Sequence, residues 1–327
     1  MVHVPDVALP PAPAAPVGED GQIQFGRYAG ETGPIDWSRA GPGRLWRFLH
    51  WKRWQYAGVI GHDHVAALAI VDLGWAMSAF AYLFDRRSAR VLADLSLLGL
   101  PRASGRVAND VGLGARSAFH GGGTSLSIDH APGGWQVSVR SRSLTIEATL
   151  ERVPAAATIC AIARVPGGLA NCTHKTHGLV ARGVARSGRE AFDLGGSVAA
   201  LDHTSGLLAR RTEWRWASAA GPDHAINLVD GFQEPFENAV WSGGRITLLP
   251  PARFERESAA PMAAWRVRSS DGSVDLAFEP EGVRMQDKNL GFAVSRFVQP
   301  IGIYRGTVLG QDVGRLSGVL EDHVARW

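Results

Sequence analysis

The 327-residue chain has few of the residues and runs that mark the common protein classes. Its two cysteines, Cys160 and Cys172, are too few to form the disulfide framework of a secreted protein of this length. They can bridge across a hairpin or remain free thiols, and a reducing cytosol favours thiols. The longest apolar run, near residues 65–84, is interrupted by Asp72 and Gly74. We therefore expect a cytoplasmic protein without a transmembrane segment.

Concentrated positive charge is also lacking. Lysine occurs only at Lys52, Lys175 and Lys288, and the formal net charge is +3 although the isoelectric point is about 9.1. The arginines are dispersed along the chain, whereas a groove that neutralises phosphates needs clustered basic residues. We expect no nucleic-acid partner.

The standard catalytic motifs are missing as well. The chain has no G-x-x-x-x-G-K-[ST], no G-x-G-x-x-G before a helix, no H-E-x-x-H and no G-x-S-x-G. Nucleotide hydrolysis, dinucleotide binding, zincin proteolysis and α/β-hydrolase chemistry are thereby disfavoured. The histidine pairs His62/His64 and His174/His177 supply only loose pairs, whereas zinc needs three or four ligands in tetrahedral reach. We predict neither a metal nor a cofactor.

What the chain does contain is the pattern of an all-β protein. Residues 144–150 alternate apolar and polar side chains, which is typical of a half-buried antiparallel strand. Turn residues recur at regular spacing between residues 66 and 97, and residues 85–88 predict a hairpin connection. The aromatic run around Trp46 to Lys52 also predicts a strand. No helical periodicity extends beyond about three turns.

Two β-rich halves of similar length follow a Pro/Ala-rich start. The start, residues 1–24, has neither a basic n-region nor a continuous apolar core, so it predicts a flexible arm and no signal peptide. We place one β-barrel domain at residues 25–168 and a second at residues 169–327.

The stretch from residue 201 to residue 241 holds the best candidates for chemistry. Alternation places Trp214 and Trp216 on one face of a strand, where they form either plain core or the wall of an apolar pocket. Glu234 and Glu237 flank Pro235 and Phe236, so desolvation can raise the pKa of one carboxyl toward the range of a general acid. Two solvated loop acids are the alternative.

A set of motifs resembles the bacterial DUF2804 family over the whole chain after the arm. The motifs are W-x-F-x-x-W-K-x-W-x-Y (46–56), I-x-D-x-G-W (70–75), H-x-x-G with R-x-T-x-W-x-W-A (203–217), N-L (227–228), E-N-A (237–239) and G-x-L-E-D-H (318–323). The resemblance implies a calycin-like architecture of two lipocalin-type antiparallel β-barrels packed side by side. Similar folds occur in carotenoid 1,2-hydratases and lipocalin-like Diels–Alderases. The family supplies no catalytic residues.

These observations lead to a hypothesis of hydrophobic ligand binding. A lipid, terpenoid or polyketide-like molecule occupies a barrel or interdomain pocket, and a cofactor-free lyase (hydratase) or isomerase/cyclase activity acts on it. The roles are distributed as follows: Trp214 and Trp216 as the apolar wall, Glu234 or Glu237 as the proton donor or acceptor, His203 or Lys52 orienting polar atoms, and Asn227 and Asn238 binding the ligand.

Two alternatives remain open. A non-catalytic lipid or pigment carrier would use the same cavity without a buried acid. A structural or interaction module would use the tryptophans as plain core. His203 is likewise either a structural or an active histidine.

Overall fold

The computed structural model describes residues 8–327 except positions 42, 155, 234, 290 and 292. Strands make up 62% of it and helix 2%, which confirms the all-β prediction. Contacts divide the chain into two compact units, the first at Pro11–Arg210 and the second mainly at Arg211–Trp327. Each unit contains a curled antiparallel half-barrel sheet.

The first unit forms a 14-stranded sheet within the described residues, with one short helix, α1 (Arg44–His50). The order along the main path is β5-β4-β3-β2-β14-β12-β10-β9-β8-β7-β6. The strands are β1 (Gly26–Ala29), β2 (Trp51–Ile60), β3 (His64–Asp72), β4 (Met77–Asp85), β5 (Arg90–Gly99), β6 (Gly105–Arg106), β7 (Arg116–Gly121), β8 (Thr124–Ala131), β9 (Gly134–Arg140), β10 (Thr145–Glu151), β11 (Ala157–Arg164), β12 (Ala170–Ser187), β13 (Glu190–Asp193) and β14 (Ser197–Leu207).

The second unit forms a 10-stranded sheet in the part of the chain that the structure describes, in the order β18-β17-β16-β15-β24-β22-β21-β20-β19. Strand β23 pairs only with β22. The strands are β15 (Arg211–Ala220), β16 (His224–Asp230), β17 (Ala239–Ser242), β18 (Arg245–Leu248), β19 (Ala252–Arg256), β20 (Trp265–Ser269), β21 (Val274–Asn289), β22 (Val294–Val308), β23 (Gln311–Asp312) and β24 (Leu316–Arg326).

Each sheet has a core face, where alternate small and branched side chains pack together. In the first sheet Ala57, Val59 and Leu201 lie on this face. In the second sheet it carries Ala217 and Ala219. Because successive side chains of a strand point to opposite sides, the residues between them lie on the opposite face. The predicted alternation along β10 is confirmed, since Ile146, Ala148 and Leu150 are buried in the core cluster.

The predicted strand from Trp46 to Lys52 is wrong in its first half. Residues 44–50 form α1, and β2 begins only at Trp51. The rings of Trp46 and His50 stack with centroids 4.0 Å apart, as neighbours at i and i+4 do on a helix. Phe48 on this helix is half exposed.

The boundary between the two compact units, at Arg210 and Arg211, differs from the proposed domain boundary. The proposed boundary between residues 168 and 169 falls inside the first unit, because β12 and β14 pair with each other and β14 pairs with β2. Part of the proposed arm is built into the same unit. The Ala12 N–H donates to the Ala29 carbonyl, 2.9 Å away, and Val17 is buried.

No helix of the described residues is long and apolar enough to cross a membrane.

Candidate functional site

Trp214 and Trp216 lie on the opposite face of the second sheet, as the alternation predicts. Ala217 and Ala219 of the same strand belong to the core cluster, so the two indoles point away from it. Strand β24 runs antiparallel beside β15, and its register places His323 across from Trp214 and Glu321 across from Trp216. The opposite face of the second unit therefore joins two aromatic rings to an acid and a histidine.

Glu321 is the centre of this cluster. Its Oε1 accepts a hydrogen bond from the indole N–H of Trp214 at 2.8 Å, and its Oε2 accepts one from the Gln299 amide at 3.1 Å. Both partners are N–H groups, which donate to the carboxyl oxygens. Glu321 is only 7% exposed. A nearly buried carboxylate is thus held in one orientation from two sides.

His323 lies next to this carboxylate on the same strand. Its Nδ1 is 3.4 Å from Glu321 Oε1, and its Nε2 is 2.9 Å from the Ser295 hydroxyl. The ring packs against Trp214 with centroids 4.2 Å apart and contacts Phe297 edge-on. Ser295 is therefore hydrogen-bonded to His323, whose Nδ1 lies close to Glu321 without a hydrogen bond to it, and aromatic rings flank these groups.

Arg284 adds a positive charge to the same face. It lies on β21 directly across from Gln299, is 2% exposed, and its guanidinium stacks over Phe297 at 5.2 Å. Gln299 in turn binds Glu321. The polar row across three strands thus carries both signs of charge.

Asn227 and Asn238 bind backbone groups around the second tryptophan. Asn227 Oδ1 accepts from the Trp216 indole at 2.8 Å, and its amide donates to the Glu237 carbonyl at 3.0 Å. Asn238 Oδ1 accepts from the Val229 N–H at 2.8 Å. Both asparagines attach the loop after β16 to the sheet. Their proposed contact with a ligand stays a prediction.

Of the two proposed loop acids, the structure describes only Glu237. Glu237 is 3% exposed, and its backbone carbonyl is joined through Asn227 to Trp216. The role of Glu237 as an acid stays a prediction. Glu234 lies outside the described residues.

Lys52 and His203 lie in the first unit, on opposite faces of its sheet. Lys52 Nζ donates to the carbonyls of Leu49 and Leu73 at 2.7 and 2.8 Å. Burial, reinforced by Arg210, lowers the pKa of Lys52 to about 7. His203 lies on the core face, across from Gln55. The first sheet does not bring Lys52 and His203 together.

His203 has the contacts of a structural histidine. Its Nε2 is 2.9 Å from the Ala108 carbonyl and donates to it, since a carbonyl only accepts. Burial lowers the pKa of His203 to about 4, and the nearby His174 adds to this effect. The ring is therefore neutral at physiological pH, and its role in orienting a ligand stays a prediction.

A second buried polar cluster lies on the opposite face of the first sheet. Asp202 Oδ2 is 2.8 Å from Lys175 Nζ and accepts from the Trp54 indole at 3.1 Å. Asp202 Oδ1 accepts from Thr204 at 3.0 Å and from Thr173 at 3.2 Å. This carboxylate is therefore surrounded by donors inside the protein.

A largely solvent-open recess of about 510 Å³ is lined by none of these residues. It is formed in the first unit at the ends of β7, β8 and β9, and polar side chains such as Thr124 and Arg140 line it. Apolar ligand pockets are enclosed and mostly hydrophobic. We do not connect this recess with the proposed ligand.

Sequence reasoning missed the acid that binds Trp214. Glu321 and His323 stand two residues apart in the G-x-L-E-D-H motif, a spacing that places both on one face of a strand. Gln299, Arg284 and Ser295 carry no such signal, because only the pairing of β21, β22 and β24 brings them to the site.

The chain matches the profile of the DUF2804 family, described as a domain of unknown function, over residues 16–327. No curated protein matches it. Among solved structures it is similar to a Nitrosomonas europaea protein named AttH, with 15% identity, a TM-score of 0.57, and 84% of this chain and 92% of that one covered. Kievitone hydratase from Nectria haematococca is less similar, with 14% identity, a TM-score of 0.49, and 84% and 88% covered. At these identities the AttH likeness concerns the fold alone.

Proposed function

The chain belongs to the DUF2804 family, and we propose that its second unit binds an apolar small molecule and transforms it by cofactor-free acid–base chemistry. The ligand class is a lipid, terpenoid or polyketide-like molecule with a carbon–carbon double bond or a carbonyl. The reaction class is hydration, dehydration, isomerisation or cyclisation. The observation that carries the proposal is the Glu321 carboxylate, held by Trp214 and Gln299 beside His323.

The aromatic surroundings support an apolar ligand. Trp214, Phe297 and the ring of His323 pack together on the face that carries Glu321. Apolar carbon placed against these rings gains about 25 cal/mol for each Å² removed from water. The faces of the rings also stabilise positive charge that develops when an alkene is protonated.

The acid and the histidine divide the proton transfers. In a hydration, His323 gives a proton to one carbon of the double bond, and Glu321 takes a proton from the water whose oxygen bonds to the neighbouring carbon. Water is consumed, no electrons leave the system, and one proton must return from Glu321 to His323. Dehydration is the reverse. Isomerisation removes a proton at one carbon and returns it at another.

The remaining polar groups have supporting roles in this scheme. Ser295 orients the His323 ring through Nε2, and Gln299 orients Glu321. The Arg284 guanidinium stabilises negative charge on a substrate carbonyl oxygen during proton abstraction. The alternative acid is Glu237 or Glu234. In that case Trp216 would form the apolar wall beside it.

Deuterium uptake tests the proposal directly. The purified protein is incubated in D2O with a panel of terpenoid, polyketide and unsaturated fatty-acid compounds, and products are followed by mass spectrometry. We expect addition of D2O or exchange at carbon for one compound class. E321Q should lower the rate by about 10²- to 10⁴-fold, the usual contribution of a general acid or base.

The control variant is E213Q, because Glu213 lies on the same strand, is exposed, and pairs with Arg211. It should retain the wild-type rate. E234Q and E237Q are assayed beside it, and loss of turnover in one of these with full activity in E321Q would move the acid to the loop. Native mass spectrometry before and after lipid extraction separates the alternatives. A bound ligand without deuterium uptake points to a carrier, and neither ligand nor turnover refutes both ideas.

A further inference from the structure

Three residues with metal-binding side chains meet on the core face of the first sheet. Cys160 lies on β11, and Cys172 and His174 lie two residues apart on β12. The register pairs Cys160 with His174 and Ile162 with Cys172, so both thiols and the imidazole project from neighbouring positions of two hydrogen-bonded strands. None is more than 2% exposed. The two cysteines are the only ones in the chain.

Their spacing is close to that of a metal site. The two Sγ atoms are 4.0 Å apart, and the donor atoms of all three residues lie within 4.8 Å of one another. Zinc–sulfur bonds of about 2.3 Å in tetrahedral geometry place two sulfurs roughly 3.8 Å apart. The two sulfurs therefore need to approach each other by only a few tenths of an ångström to bind one zinc ion. The imidazole reaches the same ion by rotation of its side chain.

One ring nitrogen of His174, a possible metal ligand, makes no hydrogen bond among the described residues. This nitrogen is Nδ1, and it is buried. A buried polar atom without a hydrogen-bond partner destabilises the folded state. The other nitrogen, Nε2, is 3.1 Å from the Thr32 N–H and 3.3 Å from the Thr32 hydroxyl. Because the Thr32 N–H donates to Nε2, the ring proton of the metal-free protein lies on Nδ1.

Plain packing is the competing explanation. Both cysteines belong to an apolar cluster with Val17, Ile35 and Trp37, and buried cysteine often acts as a small apolar side chain. Packing accounts for the two thiols but not for the buried imidazole beside them with an unpaired nitrogen.

We propose that Cys160, Cys172 and His174 form a site for one thiophilic cation of the zinc type. Cys160 and Cys172 bind as thiolates and release their protons. His174 binds through Nδ1 after the ring proton moves from Nδ1 to Nε2; the Thr32 N–H then no longer donates to Nε2, and the new Nε2–H donates to the Thr32 hydroxyl instead. A water molecule completes the coordination. The site lies in the first unit and does not depend on the proposed function of the second.

Cobalt substitution tests the site without any assay of activity. The full-length protein is produced in cobalt-supplemented minimal medium, so that metal is present during folding, and is purified under reducing, anaerobic conditions. We expect one Co²⁺ per chain, with the charge-transfer and d–d absorption bands of tetrahedral thiolate-bound cobalt. Added Zn²⁺ should displace the cobalt and abolish the bands.

Variants assign the ligands. C160A, C172A and H174A should each remove the thiolate bands or weaken binding by at least about tenfold, as loss of a ligand or its partner does. H62A is the matched control, because His62 is exposed, and it should bind like wild type.

Thiol titration keeps the test valid if a variant fails to fold, because both thiols of the chain lie in the site. In the wild type, bound Zn²⁺ should slow the reaction of both thiols with a disulfide reagent, and a chelator should restore it. Two reduced thiols without bound cobalt, or a rate that zinc does not change, would overturn the proposal.

Discussion

At the scale of single residues, buried charges are matched by donors in fixed positions. Asp202 accepts from Trp54, Thr173 and Thr204 and pairs with Lys175. Removing one member of such a pair costs more than the pair contributes, because the other charge remains buried without compensation.

We therefore expect K175M to lower the free energy of unfolding by about 3–5 kcal/mol. Urea unfolding followed by circular dichroism measures the loss. R140M is the comparison, since Arg140 and Glu147 form an exposed pair, and it should cost less than about 1 kcal/mol. The double variant K175M/D202N should recover most of the loss. Equal costs for K175M and R140M would contradict the prediction.

Residue types predicted some contacts and not others. The indoles of Trp214 and Trp216 each needed a hydrogen-bond partner, which is a property of tryptophan and was foreseeable. The partners, Glu321 and Asn227, were not foreseeable from the stretch around the tryptophans, because cross-strand pairing selects them.

At the scale of elements, the close approach of β15 and β24 determines the geometry of the candidate site. Gly318 on β24 lies against β15, where an added Cβ would be 2.1 Å from the Ser218 carbonyl oxygen and 2.5 Å from the Ala219 side chain. These atoms belong to the paired strand and cannot move independently of it. Three residues farther along β24 is Glu321.

We expect G318A to push the two strands apart and to lower the free energy of unfolding by about 1–3 kcal/mol, the usual cost of overpacking. Turnover, once a substrate is found, should fall as well, because the Trp214–Glu321 contact depends on the same pairing. G43A is the control, since a Cβ there meets nothing within 4 Å. A G318A protein with wild-type stability would show that the strands accommodate the methyl group.

Short elements were harder to predict than long alternating strands. The hairpin at residues 85–88 and the strand β10 follow directly from turn residues and alternation. Helix α1 is seven residues long, too short for a clear helical period, and its aromatic residues favour a strand. In the helix the rings of Trp46 and His50, four residues apart, stack on each other.

At the scale of the whole molecule, two buried histidines couple the stability of the first unit to pH. Burial lowers the pKa of His177 to about 3 and that of His203 to about 4, from an ordinary value of 6.5. Between these values the unfolded chain binds more protons than the folded one. The contribution of the two neutral histidines to the free energy of unfolding is therefore fully present above about pH 6.5, and it is lost as the pH falls toward 4.

We expect the urea midpoint to fall between about pH 6.5 and about pH 4, with H203Q showing a shallower decline than wild type. The reason is that glutamine keeps a donor for the Ala108 carbonyl but takes up no proton. H62Q, at an exposed histidine, should follow the wild-type curve. Superimposable curves for wild type and H203Q would exclude His203 as a source of the decline.

Local features of the chain predict the all-β class, most of the long strands, the family, and the face on which Trp214 and Trp216 lie. These features are alternation, turn chemistry and shared motifs. Strand pairing, in contrast, brings β12 and β14 into the first sheet, Glu321 and His323 beside Trp214, and Cys160 beside His174. These contacts join residues distant in sequence, and their register depends on the packing of whole sheets, which a local pattern does not contain.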